Sequence, residues 1–503
     1  MSRWINPEFL LSERAMHKFK VRFVVKLLLI ASLVTALSPV ARAQNGSLDS
    51  DQQFLKEIFR ELIEINTVDP EGNVTQAAEA MAARLRAAGF AAEDVRVLVP
   101  QGNAKKGNLV ARYRSPKAAG KPLLLLAHID VVEARKEDWS DGLDPFKFTE
   151  REGYYYGRGT MDDKAMAAIF VANLIRFKRE NFQPARDIIV ALTTDEESGD
   201  FNGVEFLLKE HRALVDAEFG INEGGRGYLK DGKPLLNAVQ ASEKVYQSFR
   251  LEARNKGGHS SLPLKDNAIY RLAAGLERLS KFDFPVNLNE VTRSYFSRMS
   301  KIETGQMAAD MRAVAASRPH TGQTAAAVTP EARAVARLSA SPYYNALMRT
   351  TCVATRVEGG HADNALPQMA RAIVNCRILP QETAADVERT LRRVLADEQI
   401  TLAPVAVSKP SPPSPLRPEI MGPIERITHA MWPNVPVVPI MGTGATDSLF
   451  FRQVGIPVYG VSGIFDDIDD NRMHGRDERI AAKALYDGQE FLYRLTQALS
   501  SAK

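Results

Sequence analysis

The chain has little that would staple it, repeat it or span a membrane. Two cysteines in 503 residues, Cys352 and Cys376, exclude a disulfide scaffold and any zinc site built mainly on thiolates. The apolar run at residues 27–37 is 11 residues long, short for a membrane-crossing helix. No internal repeat occurs, and no biased tract beyond one proline-rich stretch. With 45% hydrophobic and 25% charged residues, the composition is that of an ordinary globular protein rather than a disordered, collagenous or polytopic one. At roughly 100–200 residues per domain, the length predicts two to four domains.

The net charge of +4 is misleading. Residues 1–43 hold seven basic residues and two acids. Lys18, Lys20, Arg22 and Lys26 precede the apolar run, and Ala41-Arg42-Ala43 follows it. Charged segment, apolar segment and small-residue exit are the layout of a secretory signal. The alternative is an uncleaved N-terminal anchor. Cleavage after Ala43 takes the net charge from +4 to −1, so a nucleic-acid partner has no electrostatic support. Met16 is an alternative start.

Beyond residue 44 the pattern predicts helices over about 54–65 and 76–88, the second stopped by Gly89. Strands follow at 108–114 and 122–130. The second is an unbroken apolar run, as in a strand buried on both faces. A helix at 163–179, a strand at 187–193, a helix at 204–211 and a strand at 217–221 continue the alternation of an α/β sheet. From about 244 the style changes. Strand 244–254, helix 267–279, the hairpin 350–358 with 369–379, and helix 383–396 predict a split βαβ, ferredoxin-like unit, with a helical stretch at about 290–340 inserted in it. Residues 408–418 carry five prolines and read as a linker. Helix 424–431, strands 435–440 and 458–461, and a helix from about 477 return to α/β style. The expected organisation is therefore a signal at 1–43, a first part of the α/β domain at 44–240, an α+β domain at 241–407 and the remainder of the α/β domain at 408–503.

The residues suited to chemistry fall where strands end, the usual functional edge of an open α/β sheet. His128 and Asp130 close one strand, Glu196 and Glu197 follow another, and Glu223 a third. Asp162 precedes a helix, whose dipole can steady a carboxylate. His474 lies before the last helix. A single histidine at a strand end is usually structural, and Asp195-Glu196-Glu197 alone reads as a solvated turn. Together they predict a cation, because a buried strand should not end in adjacent carboxylates without compensation. Imidazole and carboxylate donors suit zinc, and less selectively manganese or cobalt. The set is large enough for two ions about 3.5–4 Å apart if one carboxylate bridges. One of Glu196 and Glu197 would bind metal and the other act as general base. Asp130 could hold the His128 ring from behind. Gly257-Gly258-His259-Ser260-Ser261 is half of a serine-hydrolase elbow, but Leu262 stands where its last glycine is needed. Gly224-Gly225-Arg226-Gly227 does not fit a dinucleotide loop, and no H-E-x-x-H is present.

At this point the sequence resembles the dizinc metallopeptidases that include glutamate carboxypeptidase, carnosinase, aminoacylase, acetylornithine deacetylase, succinyl-diaminopimelate desuccinylase and yeast carboxypeptidase S. The resemblance covers roughly residues 50–500. It rests on Ala127-His128-Ile129-Asp130, Gly157-Arg158-Gly159-Thr160-Met161-Asp162-Asp163-Lys164, Thr194-Asp195-Glu196-Glu197-Ser198-Gly199, Asn222-Glu223-Gly224, Gly257-Gly258-His259-Ser260-Ser261-Leu262-Pro263, Asn364-Ala365-Leu366-Pro367 and His474-Gly475. The form of Trp139 and Asp144-Pro145-Phe146 looks closest to the carboxypeptidase S and aminoacylase side.

The resemblance implies a catalytic α/β domain with an inserted ferredoxin-like lid that dimerises in many relatives. It implies that His128 and Glu223 hold one Zn2+, that Glu197 and His474 hold the other, and that Asp162 bridges them. It assigns Glu196 as general base, Asp130 as the partner of His128, and His259 to the oxyanion, often across a dimer interface. Asn364 and Arg377 would bind substrate, Arg377 clamping a free carboxylate. Gly442 and Thr443 would line the pocket. Without the resemblance, His259 reads as a polar loop histidine. Ala165 departs from the usual glycine.

Cys352 and Cys376 are each 12 residues from Asn364, so an undisplaced hairpin sets them opposite each other. They are either a disulfide or two buried thiols. The expectation is a secreted, periplasmic two-zinc hydrolase, with Co2+ or Mn2+ as substitutes, acting on a small peptide beside a free carboxylate. It would bind no nucleic acid and have no stable membrane insertion after signal cleavage, with a homodimer through the lid. The alternatives are an N-acyl-amino-acid deacylase and a silent metal-binding protein.

Overall fold

The computed structural model describes residues 48–317, 329–406 and 408–501; the expected signal at 1–43 lies outside them. A ten-stranded sheet organises the larger unit. Its spatial order is Val95–Leu98, Asn108–Tyr113, Ile188–Thr193, Leu123–His128, Phe219–Asn222, Val458–Gly460, Lys233–Glu243, Gly227–Lys230 and Phe465–Asp467, with Val437–Gly442 also paired to Lys233–Glu243. Leu123–His128 runs parallel to both Ile188–Thr193 and Phe219–Asn222. All three strands are fully buried. Alternate side chains serve two cores. Leu123, Leu125 and Ala127 face the helices Ser50–Glu64, Lys164–Arg179 and Ala482–Ser501. Leu124 and Leu126 face Val204, Leu207 and Phe451 on the opposite side. This two-sided burial is why the strands read as continuous apolar runs, and it brings His128, Thr193 and Asn222 to one edge.

The smaller sheet has the order Thr351–Gly359, Met369–Ile378, Val245–Arg254, Ile400–Pro404, all antiparallel. Helices Ala268–Ser280 and Ala384–Leu395 cover one face and share its core. Met369–Ile378 alternates half-buried and buried along its whole length, as a sheet with one covered face requires. Chain order and strand order are those of the ferredoxin-like split βαβ. Cys352 lies directly opposite Cys376, and the two form a disulfide.

Several elements differ from the sequence expectation. The helices Glu290–Met299, Gly305–Ala316, Pro330–Ser339 and Pro342–Met348 join the large core, because Val291, Tyr295, Phe296 and Met299 line one face that meets the Val437–Gly442 strand. The proline-rich stretch is fastened down: Ser414 donates its N–H to Ala241 O at 2.7 Å and its Oγ proton to Val458 O at 2.7 Å. The last helix begins at Ala482, because Arg479–Ala481 pairs as a strand with Tyr154–Tyr156. Strand Lys233–Glu243 was not expected. Its signal is Asp231-Gly232, both at positive φ (52° and 71°), a hairpin turn after Gly227–Lys230.

Candidate active site

His128 is the last residue of its strand and is buried. Its Nδ1 lies 3.1 Å from the carbonyl of Asp130 and 3.6 Å from that residue's carboxylate. A carbonyl only accepts, so Nδ1 carries a proton and Nε2 is the nitrogen left to bind. Nε2 lies 2.9 Å from Asp162 Oδ1. A neutral ring and an ionised carboxylate both present lone pairs there, so a second proton or a cation must lie between them. Asp162 turns its other oxygen to His474, 3.1 Å from that Nε2, and Glu197 Oε1 stands 2.8 Å from the same nitrogen. One carboxylate thus joins two imidazoles that are 346 residues apart in the chain.

The backbone is organised to present these groups. Asp162 sits just before the Lys164–Arg179 helix and its peptide to Asp163 is cis. His474 adopts a left-handed conformation, φ 59°, uncommon for a residue with a side chain. Glu196 and Glu197 follow the Ile188–Thr193 strand, and Glu223 follows Phe219–Asn222. Two donor groups result, His128 with Asp162 and Glu197, and His128 with Glu196 and Glu223. The ligand atoms of each lie within 4.8 Å of one another.

The electrostatics call for cations. Burial opposes the charge on His128, but Asp130 and Asp162 outweigh it and push the ring well up. Hydrogen bonds to Asp162 and Glu197 raise His474 to about 10. Burial would raise Asp162, yet the two imidazoles hold it below the usual carboxylate range. Glu196 and Glu223 are pushed well up, first by burial and then by neighbouring carboxylates. Asp163 is raised likewise, and its buried Oδ2 has no hydrogen-bond partner among the described residues. Six carboxylates, Asp130, Asp162, Asp163, Glu196, Glu197 and Glu223, surround two imidazoles. The residues present fit two divalent cations held by nitrogen and oxygen donors.

Residues 124–498 match the profile of Peptidase family M20/M25/M40. The chain belongs to that family. Human N-fatty-acyl-amino acid synthase/hydrolase PM20D1 is 28% identical over 391 residues, covering 75% of this chain and 74% of that protein. Rat aminoacylase-1A is 26% identical over 471 residues, 88% of this chain and 95% of that protein. Among solved structures, the M20 family metallo-carboxypeptidase Sso-CP2 of Sulfolobus solfataricus superposes with a TM-score of 0.62 at 18% identity, covering 90% of this chain and all of that one. Human carnosine dipeptidase 1 gives 0.56 at 16%, covering 90% of this chain and 97% of that one. These superpositions establish the mixed α/β fold, and membership of the M20 family makes the chain a hydrolytic enzyme.

Tertiary partners hold the residues around the candidate site. Asp130 accepts the N–H of Glu196 at 3.2 Å and of Glu197 at 3.0 Å. Asp195 leaves the acidic triplet and takes Lys106 Nζ at 2.5 Å. Asp447, raised to about 6 chiefly by burial, accepts Asn202 Nδ2 at 2.8 Å and Thr193 Oγ1 at 3.1 Å. Glu478 takes the N–H of Met161 at 2.8 Å and pairs with Arg158, fixing the loop that carries Asp162. Lys164 donates to Leu62 O and Ile65 O, both at 2.9 Å, and burial lowers it to about 7. Sequence reading assigned no role to Asp447 or Glu478; no local pattern marks them. Ala165 is accommodated fully buried in the core.

Five other expected substrate or catalytic residues lie outside the two donor groups. His259 and Asn364 meet each other on the small ribbon of Gly258–His259 with Ala365–Leu366; Ser260 donates its N–H to Asn364 O at 3.1 Å. His259 is exposed, and its Nδ1 lies 2.7 Å from Ser261 Oγ. Arg377 is half-buried on the open face of the smaller sheet. Thr443 is half-buried just after Gly442, which ends its strand beside Glu243. A methyl group at Gly442 would come within 2.8 Å of Gln240 Oε1, so the end of that side chain would have to shift.

Proposed function

We propose that this chain is a two-metal amidohydrolase that cleaves a peptide or N-acyl amide bond beside a free carboxylate and releases an amino acid. The observation that carries the proposal is the meeting of two donor groups at His128, with Asp162 joining His128 to His474. His128 and Glu223 would hold one cation, Glu197 and His474 the other, with Asp162 between; zinc suits this donor set. Bound there, such ions supply a Lewis acid for the scissile carbonyl and acidify a water.

The protein's own groups do the rest. Asp130 orients both His128 and the turn bearing the paired glutamates. Glu196 takes the proton from the attacking water and returns it to the leaving amine. Its buried, charge-crowded setting raises its basicity toward the working range of a general base. Arg377 orients the substrate through its carboxylate. The exposure of His259 supports a role that begins only on domain closure, or in the site of a second copy bound through the smaller domain. The Cys352–Cys376 bridge supports an oxidising compartment outside the cytoplasm, with residues 1–43 as the signal.

A second reading narrows the first. The similarity to N-fatty-acyl-amino acid synthase/hydrolase PM20D1 and to aminoacylase-1A favours an N-acyl amino acid over a dipeptide. The test is to incubate zinc-loaded residues 44–503 with mixed dipeptides and N-acyl amino acids and follow free amino acids by mass spectrometry. Release that disappears in Glu196→Gln supports the proposal, and the substrates consumed divide the two readings. No release with two metals bound per chain would overturn it.

A further inference from the structure

We infer that Tyr246 is the positioning residue for Arg377 and so sets the preference for substrates with a free carboxylate. The inference rests on the carboxylate clamp proposed above. Tyr246 and Arg377 are directly opposed on neighbouring strands, and the guanidinium carbon lies 4.8 Å from the ring centroid. That is within range of a cation–π contact. Tyr246 is 53% exposed on the face opposite helices Ala268–Ser280 and Ala384–Leu395, so burial of the ring is not what holds it there.

The ring is itself fixed. Asn375 Nδ2 donates to Ser248 Oγ at 3.1 Å, and Ser248 Oγ donates to the Tyr246 hydroxyl at 3.1 Å. From the covered face, the neighbouring Cys376 is tied to Cys352. Arg377 therefore lies on a platform held from both sides.

Two nearby arginines have carboxylates: Arg371 pairs with Glu252 and Arg349 with Asp283. Arg377 has none within ion-pair distance among the described residues. Burial lowers its pKa, and Tyr246 opposes that shift. A half-desolvated guanidinium stacked on an aromatic ring keeps its planar edge for an external carboxylate. A lysine would lose both the stacking and the fork. Without the ring the arginine would keep its charge but lose its orientation, which weakens binding of the anionic end and leaves the distant chemistry alone.

Steady-state kinetics on matched substrates, one with a free carboxylate and one with that group amidated, test this in Tyr246→Leu, Tyr246→Phe and Arg377→Ala. Tyr246→Leu should raise KM for the acid roughly 3- to 30-fold, the range of a cation–π contact, with kcat within about twofold and the amide little changed. Tyr246→Phe keeps the ring and should recover most of the lost affinity. Melting curves monitor folding, and Tyr246→Gln replaces the leucine variant if that one is unstable. If Arg377→Ala discriminates acid from amide while Tyr246→Leu does not, the clamp stands and the inference is overturned. If Arg377→Ala fails to discriminate, the clamp is wrong and the inference falls with it. An equal loss of kcat on both substrates in Tyr246→Leu also overturns it.

Discussion

The carboxylate of Asp130 accepts the backbone N–H of Glu197 at 3.0 Å, while its other oxygen accepts that of Glu196. A residue just past the end of one strand thereby shapes the turn at the end of its neighbour. The same residue offers its carbonyl to His128 Nδ1. Three members of the candidate metal site are thus oriented by one aspartate.

Replacing Asp130 by alanine should therefore loosen metal without removing a ligand. Affinity should fall about 10- to 100-fold, the usual cost of losing an outer partner. Competition with a calibrated chelator measures it. Unchanged affinity would show that the turn is held by other contacts.

Glu196→Gln separates binding from chemistry. The amide keeps size and hydrogen-bonding capacity but cannot take a proton. Turnover should drop by at least ~10²-fold, with two metals per chain retained by elemental analysis. A fully active variant would refute Glu196 as base.

Metal loading should release protons. His474 is held up to about 10 by Asp162 and Glu197, so the metal-free fold carries that proton at neutral pH. A ligating imidazole must be neutral, so affinity should climb as the pH rises toward about 10. The folding linkage has a definite sign. A raised folded pKa stabilises the metal-free fold fully below about 6.5, and that gain is lost as the pH rises through about 10. Calorimetric titration in two buffers of different ionisation heat reads the protons released; none released would contradict the pairing of His474.

The Cys352–Cys376 bridge closes a sequence separation of 24 residues. Its removal by a double Cys→Ser substitution should cost about 3.5 kcal/mol in the chain-entropy account. Denaturant unfolding gives the value. Intact mass after alkylation should show no modified cysteine until the protein is reduced, and two alkylated cysteines beforehand would exclude the bridge.

Much of this molecule was legible locally. The apolar runs ending in His128, Thr193 and Asn222 announce strands buried on both faces, since only such strands can dispense with alternation. Their terminal acids and histidine share an edge because parallel strands end together. The split βαβ order was legible too, from the alternation in Met369–Ile378 and the cap at Thr383, whose Oγ1 accepts the N–H of Asp386 at 3.1 Å.

The remainder depended on partners far apart in the chain. Glu478 supports Met161 across 317 residues, and Asp447 reaches Thr193 across 254. The helices from Glu290 to Met348 chose the large core because their apolar face found the Val437–Gly442 strand there, a match no local period encodes. Tyr246 and Arg377 became a pair only through strand register. The sequence by itself determined which segments form the sheets and which side chains could hold cations, because periodicity and donor chemistry are local properties. Which carboxylates end up without solvent, and therefore need a cation, was decided by tertiary structure, because desolvation belongs to the packed fold and not to any one segment.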